Sequence, residues 1–217
     1  MAETKGKKDN NLSEALAGIA VRLQSLAETG QHYSTNDYDL DRYCEIEKAA
    51  AGMLSILGAG DVKQVLSDIR EDNGYKTPKV DVRAVVLNDD GEILMVREKI
   101  DGCWSLPGGW ADIGYSPSEV AVKETFEEAG MEVRPGELLA VLDKRNHNHP
   151  PDIYYIYKIF IRCYPLNKRL KNGYETTEVG FFAPDRLPEL SAPRNTREQI
   201  MMMFSLCKGE INMPLID

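Results

Sequence analysis

The first third of the chain carries apolar side chains at the spacing of three to four residues that an amphipathic helix requires. Leucine or isoleucine recurs between Leu12 and Thr29, and Gly30 stands where a helix would end. The same spacing predicts a second helix from about Leu40 to Leu57 and a third from Asp61 to about Asp72. Residues 1–76 are therefore predicted to form a small all-helical domain.

After Pro78 the apolar positions change to the spacing of β-strands. Two β-rich runs, Val80–Leu87 and Ile93–Val96, flank the turn Asn88–Gly91 and predict a hairpin. Three more strands and two helices are predicted downstream, at residues 138–142, 153–162 and 179–183 and at residues 117–129 and 195–206. This order predicts that residues 77–217 form an α/β fold, an α/β/α sandwich with a mixed sheet.

The helix predicted at residues 117–129 carries three glutamates on one face. Glu124, Glu127 and Glu128 lie at the spacing that stacks side chains along an α-helix. Carboxylates this close repel one another, and a divalent cation relieves the repulsion. Oxygen ligands favour a hard ion such as Mg²⁺, which shares its remaining coordination positions with substrate phosphates. By themselves three glutamates are typical of a solvated helix face, so the preceding loop decides between the two interpretations.

That loop, Leu106-Pro107-Gly108-Gly109, is poor in side chains and lets the backbone approach a ligand closely. The loop and the glutamate helix together resemble the Nudix box. The family pattern asks for a glycine, a first glutamate, an Arg-Glu pair, an aliphatic residue, a Glu-Glu pair, a glycine and a second aliphatic residue. The chain supplies the pattern at Gly109, Glu124, Glu127, Glu128, Gly130 and Met131.

Three positions depart from the family pattern. Tyr115 stands in place of the first glutamate, Lys123 in place of the arginine, and Thr125 in place of the aliphatic residue. Lys123 keeps a cation but cannot form the bidentate fork of an arginine. Because the three helix glutamates remain, we expect the metal-binding end of the box to be intact and the enzyme to be active.

Composition narrows the class of partner. The 217 residues have a net charge of −9, which disfavours extended contact with nucleic acid or anionic lipid. No apolar run is long enough to span a bilayer, and the first ten residues carry no secretory signal. The four cysteines form no CxxC pair, so neither a zinc site nor a disulfide framework is indicated. A cytoplasmic protein is expected.

The resemblance implies hydrolysis of the phosphoanhydride bond in a nucleoside diphosphate linked to a second group. Glu124, Glu127 and Glu128, with the carbonyl of Gly109, are then the ligands of Mg²⁺, for which Mn²⁺ is a possible substitute. The helical extension and the segment after Pro78 resemble the bacterial group that includes CDP-choline pyrophosphatases, which makes CDP-choline the first candidate substrate. ADP-ribose and nucleotide sugars are the alternatives, since loops outside the box set the substrate.

Other residues are candidates for the general base and for substrate contacts. The base is either a glutamate of the box or one of Glu175 and Glu178, just before the strand predicted at residues 179–183. Arg83 is a cation inside an apolar strand, so either a buried carboxylate or a substrate phosphate should meet it. Substrate contacts are also assigned to Lys123 and to the two tryptophans beside the glycine loop, Trp104 and Trp110.

The sequence leaves two alternative functions open, and it also predicts how copies of the chain associate. Tyr115 favours a regulatory module that senses a nucleotide without turning it over. Processing of RNA ends is the other alternative, and the net charge of −9 argues against extended contact with RNA. The helices of residues 12–72 are predicted to form a homodimer, because their leucine and isoleucine stripe needs a cover. In that dimer they would border the partner's pocket through Tyr33 or Tyr38.

Overall fold

The computed structural model describes residues 2–58, 61–63, 66, 77–112, 114–150, 152 and 154–217, apart from the side chains of residues 2–11, 13 and 14. The chain divides into two compact units, residues 1–78 with 150–155, and residues 79–149 with 156–217. The predicted division into domains 1–76 and 77–217 stays a prediction, because compactness does not show that either unit folds by itself.

The first unit is built from two long helices, α1 (Ala2–Tyr33) and α2 (Asp37–Ile56). Asn36 caps α2, since its side chain accepts a hydrogen bond from the Tyr38 backbone N–H. Small side chains such as Ala20 and Ala51 are buried where the two helices pack. The two predicted helices are thus confirmed: α1 extends beyond both predicted ends, and α2 begins three residues earlier and ends one residue earlier than predicted. The third predicted helix lies mostly outside the described residues.

The prediction that Gly30 ends the first helix is wrong, because α1 continues to Tyr33. The glycine serves packing instead. A Cβ atom at this position would stand 2.3 Å from the ring of Tyr43 on α2, so only a residue without a side chain lets the ring lie against the α1 backbone. A sequence pattern cannot separate this use of glycine from a helix cap.

The second unit contains two sheets and two further helices. Its strands are β1 (Lys79–Val86), β2 (Ile93–Glu98), β3 (Trp104–Ser105), β4 (Gly108–Trp110), β5 (Val133–Asp143), β6 (Ile156–Pro165), β7 (Thr176–Phe182) and β8 (Leu215–Ile216). The α-helices are α3 (Pro117–Ala129) and α4 (Arg197–Cys207), and a short 3-10 helix spans Lys144–Asn146. One sheet has the order β4-β1-β6-β5-β8 and mixes parallel with antiparallel pairs, and the other has the order β3-β2-β7.

The strands alternate their side chains between two cores. Val82, Ala84 and Val86 of β1 belong to a core that includes residues of α3, whereas Val85 belongs to a second core that includes residues of α4. The sheets therefore lie between the two helices. This is the predicted α/β/α sandwich with a mixed sheet.

The predicted hairpin between β1 and β2 is only partly correct. The turn is present, with Gly91 at φ 75° and the Asn88 N–H bonded to the Glu92 carbonyl oxygen. Beyond one isolated bridge between Leu87 and Ile93, however, the two strands separate into different sheets. Both strands find longer partners elsewhere, which a local sequence pattern cannot indicate.

Other strand bounds also differ from the predictions. β5 begins at Val133 rather than at residue 138, because Pro135 and Gly136 lie in an irregularity of the pairing with β6 instead of a turn. β7 begins at Thr176, three residues before the predicted start. None of the described helices is long and apolar enough to cross a membrane.

Candidate active site

Helix α3 carries the glutamate cluster, and its ends are fixed as the sequence predicts. Ser116 caps the first turn in a reciprocal pair of hydrogen bonds with Glu119, and Pro117 occupies the first helical position. Gly130 ends the helix at φ 64°, in the left-handed region that favours glycine. The register of the helix, and with it the direction of each glutamate, is therefore set by local sequence.

Glu128 is the most deeply placed of the three glutamates. It is 7% exposed, and its Oε2 accepts a hydrogen bond of 2.9 Å from the Gly108 N–H of the glycine loop. Burial raises the pKa of Glu128 to about 8, and the negative charges of Glu98 and Glu124 act in the same direction. A cation beside this carboxylate would favour its ionised form, which is the state that ligates a metal.

The glycine loop approaches this carboxylate because Gly108 has no side chain. Gly108 lies in β4 opposite Arg83, and a Cβ atom there would stand 2.0 Å from the Val82 carbonyl oxygen. Its φ of 143° adds a backbone conformation that other residues rarely adopt. The first glycine of the pair is thus required by close packing on β1.

The other two helix glutamates lie around an ammonium group. The Lys123 Nζ donates to Glu124 Oε1 at 3.0 Å and lies 3.2 Å from Glu127 Oε2 and 3.8 Å from Asp112 Oδ2. These bonds hold the pKa of Lys123 well above its usual value. Gly109 lies beside the Glu124 carboxylate, since a Cβ atom on Gly109 would stand 3.7 Å from it.

The donor set suits a hard divalent cation. Three carboxylates and the backbone of the glycine loop offer oxygen ligands only, and the ammonium of Lys123 shows that the Glu124 and Glu127 carboxylates can share one positive charge. In the described part of the chain, no three acidic, histidine or cysteine side chains yet converge on a single cation position. Movement of the Lys123 ammonium would free the two carboxylates to do so.

The departures from the family pattern have local explanations. Tyr115 places its ring where the Lys123 ammonium lies 5.8 Å from the ring centroid, so an aromatic face replaces a carboxylate beside that cation. Thr125 is fully buried, and its hydroxyl donates to the Ala121 carbonyl at 2.7 Å. The hydroxyl is thereby satisfied within its own helix, and Thr125 occupies an aliphatic position without leaving a buried polar group unpaired.

Arg83 meets a buried carboxylate. Its Nε donates to Asp81 Oδ1 at 2.7 Å, and its Nη1 donates to the Leu106 carbonyl at 3.0 Å. The Lys158 ammonium, which is fully buried, donates to the other oxygen of Asp81 at 2.7 Å. The two cations hold the pKa of Asp81 well below its usual range, although burial opposes them. A role for Arg83 in binding substrate phosphate stays a prediction.

The two tryptophans lie in different surroundings. Trp104 is in β3, where its ring makes an edge contact with Phe182 at a centroid distance of 4.7 Å. Trp110 is in β4 and 49% exposed. Both tryptophans flank the glycine loop in the sequence, and stacking on a substrate stays a prediction for each.

Glu175 and Glu178 lie in the segment that packs on the C-terminal end of α3. In this segment the Thr176 hydroxyl donates to the Glu128 carbonyl at 2.8 Å. Glu178 is inside β7 rather than in a loop, and its carboxylate pairs with Arg97 at 2.6 Å. The backbone carbonyl of Glu175 accepts from the Lys99 N–H at 3.0 Å.

Sequence reasoning missed two residues that hold the glycine loop and its surroundings. Asn195, fully buried, accepts a hydrogen bond of 2.9 Å from the Leu106 N–H. Glu98, also buried, accepts from the Ser105 hydroxyl at 2.6 Å and pairs with Arg194 at 2.9 Å. The sequence signal for Glu98 was a carboxylate at the end of the apolar run that forms β2.

A helix that carries three carboxylates beside a glycine loop, on an α/β/α sandwich, is the kind of site on which metal-dependent phosphohydrolases are built. Comparison with known families agrees. Residues 77–202 match the family model described as the NUDIX domain. Residues 14–67 match the model described as a UDP-X-like, N-terminal oligomerisation domain.

Similar proteins point in the same direction. A protein of Bacillus subtilis (strain 168) named as a putative ADP-ribose pyrophosphatase, YjhB, is 43% identical over 189 residues, which cover 87% of this chain and 90% of that protein. An ADP-ribose pyrophosphatase structure from Streptococcus suis 89-1591 is 39% identical with a TM-score of 0.59, covering 65% of this chain and 100% of that one. A UDP-X diphosphatase structure is 29% identical with a TM-score of 0.62, covering 94% and 99%. The chain belongs to the Nudix hydrolase family and is a pyrophosphohydrolase.

Proposed function

We propose that the protein uses Mg²⁺ to hydrolyse the phosphoanhydride bond of a nucleoside diphosphate linked to a second group, giving a nucleoside monophosphate and a phosphorylated product. One observation carries the proposal. Glu124, Glu127 and Glu128 project from one helix beside a glycine loop whose Gly108 N–H already bonds a carboxylate. Bound Mg²⁺ would neutralise charge on the phosphate oxygens and lower the pKa of a water molecule.

The chain's own residues have separate tasks in this proposal. Glu124, Glu127 and Glu128 hold the metal, together with the Gly109 carbonyl. Lys123 supplies a cation that can turn from the carboxylates toward a substrate phosphate. The Gly108 N–H keeps Glu128 in one orientation, whereas Glu124 and Glu127 become available to the metal once the Lys123 ammonium moves away from them.

The substrate is tested best with a panel of diphosphates. The relatives named for ADP-ribose and for UDP-X put ADP-ribose and UDP-linked compounds first. CDP-choline, which the sequence resemblance suggests, completes the panel. Each compound is incubated with Mg²⁺, and nucleoside monophosphate is measured directly by chromatography. Release from none of the compounds would contradict the proposed activity, and the ratio of kcat/KM values would rank the substrates.

The general base is predicted to be Glu175, Glu178 or a glutamate of the box, and two variants separate these cases. If Glu175 or Glu178 is the base, Glu175→Gln or Glu178→Gln should lower kcat by about 10² to 10⁴, the usual contribution of a positioned base. The variants are matched, since each removes one charge without removing volume. Glu178→Gln also breaks the ion pair with Arg97, so its thermal unfolding is measured as a control.

A large loss in only one variant identifies that residue as the base. Full activity in both variants would exclude Glu175 and Glu178 as the base and assign the proton transfer to the box glutamates. The pH profile of kcat/KM adds a second readout, because removal of the base should abolish the acidic limb of the profile.

We also propose that the protein is a homodimer formed through α1. The side chains of Leu12, Ile19 and Leu26 are 60%, 51% and 58% exposed, and they recur every seven residues along one face of the helix. Such a repeat is typical of helices that pair along an apolar seam. The likeness of residues 14–67 to an oligomerisation domain supports the assignment.

Light scattering coupled to size exclusion should therefore give a mass near twice the 24.4 kDa of the chain. The double variant Ile19→Glu with Leu26→Glu places charges in the seam and should give a monomer. Ile100→Glu is the matched control, because Ile100 is 81% exposed but lies in the other unit. A monomeric wild type at micromolar concentration, or a double variant that stays dimeric, would contradict the proposed seam.

A dimer that survives deletion of residues 1–76 would place the contact in the sheet unit instead. Tyr33 and Tyr38, which are 66% and 76% exposed, are tested separately. If they border the partner's pocket as predicted, their replacement by alanine should raise KM in the dimer.

A further inference from the structure

The last turn of α3 is bonded by a distant piece of chain, residues 171–176. The last carbonyl groups of an α-helix have no partner within the helix, so water or other groups must bond them. Here the Lys171 N–H donates to the Ala129 carbonyl at 2.9 Å, and the Gly173 N–H donates to the Glu128 carbonyl at 3.2 Å. The end of α3 is therefore anchored to a segment that is remote in the sequence.

Thr176 joins the two sides of this contact through one hydroxyl group. Its side chain is fully buried, and the hydroxyl donates to the Glu128 carbonyl at 2.8 Å. The same oxygen accepts a hydrogen bond of 2.7 Å from the Gly173 N–H. A hydroxyl can donate and accept at once, whereas the side chain of valine can do neither. Thr176 thus closes a ring of hydrogen bonds with the Glu128 carbonyl and the Gly173 N–H.

Gly173 allows this segment to lie directly against the helix. A Cβ atom at this position would stand 1.8 Å from the Glu127 carbonyl oxygen and 3.1 Å from the Glu128 Cα. Both neighbours are backbone atoms of α3, which cannot move aside without disturbing the helix. The contact between the segment and the last turn of α3 is therefore close as well as bonded.

The contact lies on the turn that carries two of the proposed metal ligands. Glu127 and Glu128 supply the backbone groups that Gly173 and Thr176 touch. Their side chains leave from the same backbone, so a shift of this turn would displace both carboxylates relative to Glu124, one turn earlier. Groups that hold metal ligands in place commonly matter for metal affinity, although they do not touch the metal.

We propose that Thr176 is a positioning residue of the active site, which fixes the metal-binding turn of α3 through the Glu128 carbonyl. The inference rests on the proposed function, since it requires that Glu127 and Glu128 ligate the metal. It adds a residue outside the glycine loop and outside α3 that acts through the backbone of Glu128. Because Glu175 directly precedes Thr176, the same hydroxyl also holds the chain beside that candidate base.

Thr176→Val is the sharpest test, because valine has nearly the volume of threonine but lacks the hydroxyl. Mn²⁺, which stands in for Mg²⁺, is titrated into the full-length protein without substrate, and free Mn²⁺ is measured by electron paramagnetic resonance. The dissociation constant of Mn²⁺ should rise about 10- to 100-fold, the usual effect of losing a group that orients a metal ligand. Thr176→Ser keeps the hydroxyl and should restore Mn²⁺ binding to within about threefold of wild type, well below one tenfold step.

Thr177→Val is the matched control, since it makes the same change at the next residue of β7. The Thr177 hydroxyl donates to the Arg97 carbonyl at 3.3 Å instead of bonding α3, so its loss should leave Mn²⁺ binding unchanged. Thermal unfolding is measured for every variant, because the loss of a buried hydrogen bond lowers stability by itself. A purely structural role of Thr176 would lower the unfolding temperature without changing the affinity for Mn²⁺.

A measurement on the wild type needs no variant and holds even if Thr176→Val fails to fold. Coupling between two sites is reciprocal, so a segment that raises metal affinity must itself be stabilised by the metal. Hydrogen exchange followed by mass spectrometry should therefore show that Mn²⁺ slows exchange in residues 171–176 as well as in the last turn of α3. Unchanged exchange in residues 171–176 at saturating Mn²⁺ would contradict the proposed coupling.

Binding of Mn²⁺ by Thr176→Val within about threefold of wild type, again below one tenfold step, would overturn the proposal even if the protein unfolds more easily. An equal weakening by Thr177→Val would overturn it as well. Failure of the proposed function gives a different result. A wild-type protein that binds no Mn²⁺ would refute the metal site together with the inference, whereas tight binding by both wild type and Thr176→Val would refute only the role of Thr176.

Discussion

Replacing Glu127 with glutamine is expected to lower kcat by about 10³ or more while the fold stays intact. The change removes one charge from the proposed metal-binding face without changing the volume of the side chain. The Glu127 side chain is 54% exposed, and its one described ion pair is with Lys123 on the same helix, so folding depends little on it. Steady-state kinetics with Mg²⁺ measures the loss, and circular dichroism measures the fold.

Glu119→Gln is the matched control for this prediction, because it makes the same chemical change on the same helix. Glu119 lies in the first turn, where its carboxylate accepts from the Ser116 N–H, and a glutamine oxygen can accept the same bond. Activity of Glu127→Gln within about threefold of wild type, well below one tenfold step in rate, would remove Glu127 from the catalytic group. Equal losses in both variants would show an effect on the helix rather than on the site.

The second large effect is expected on stability. Replacing Asp81 with asparagine should lower the free energy of unfolding by about 3–5 kcal/mol, the usual cost of removing one partner from a buried ion pair. Arg83 and Lys158 would remain buried without the carboxylate that both of them contact. Urea denaturation followed by fluorescence measures the change.

Asp89→Asn is the control, since Asp89 pairs with Lys168 at the surface, where both side chains are exposed, and its loss should hardly move the midpoint. A second variant tests the cause. Combining Asp81→Asn with Lys158→Met removes one of the two uncompensated cations and should recover part of the lost stability. A single variant as stable as wild type, or a double variant less stable than the single one, would contradict the assigned role.

The ion pair also links stability to the site, because the Arg83 guanidinium that bonds Asp81 donates to the Leu106 carbonyl as well. Loosening of Asp81 should therefore reach the glycine loop. We expect the Asp81→Asn protein that remains folded to show a lower kcat, whereas Asp89→Asn should retain full activity.

Much of helix α3 was predictable because its information is local. Ser116, Pro117 and Gly130 define its ends through bonds within one or two turns, and the spacing of the glutamates follows from 3.6 residues per turn. The correct prediction of the mixed α/β/α sandwich has a similar basis, since the alternation of apolar residues depends on each strand alone. The wrong prediction at Gly30 and the only partly correct prediction of the β1–β2 hairpin concern partners that lie on other elements.

The sequence by itself determined that three carboxylates share one helix face beside a glycine loop, because periodicity and capping act over a few residues. Only the tertiary structure decided which groups hold that loop. The Leu106 N–H meets Asn195, which is 89 positions further along the chain, and Arg83 meets Asp81 rather than leaving its charge unpaired. Buried polar groups must find partners, but many distant side chains can satisfy each one, so the choice is made only when the elements pack.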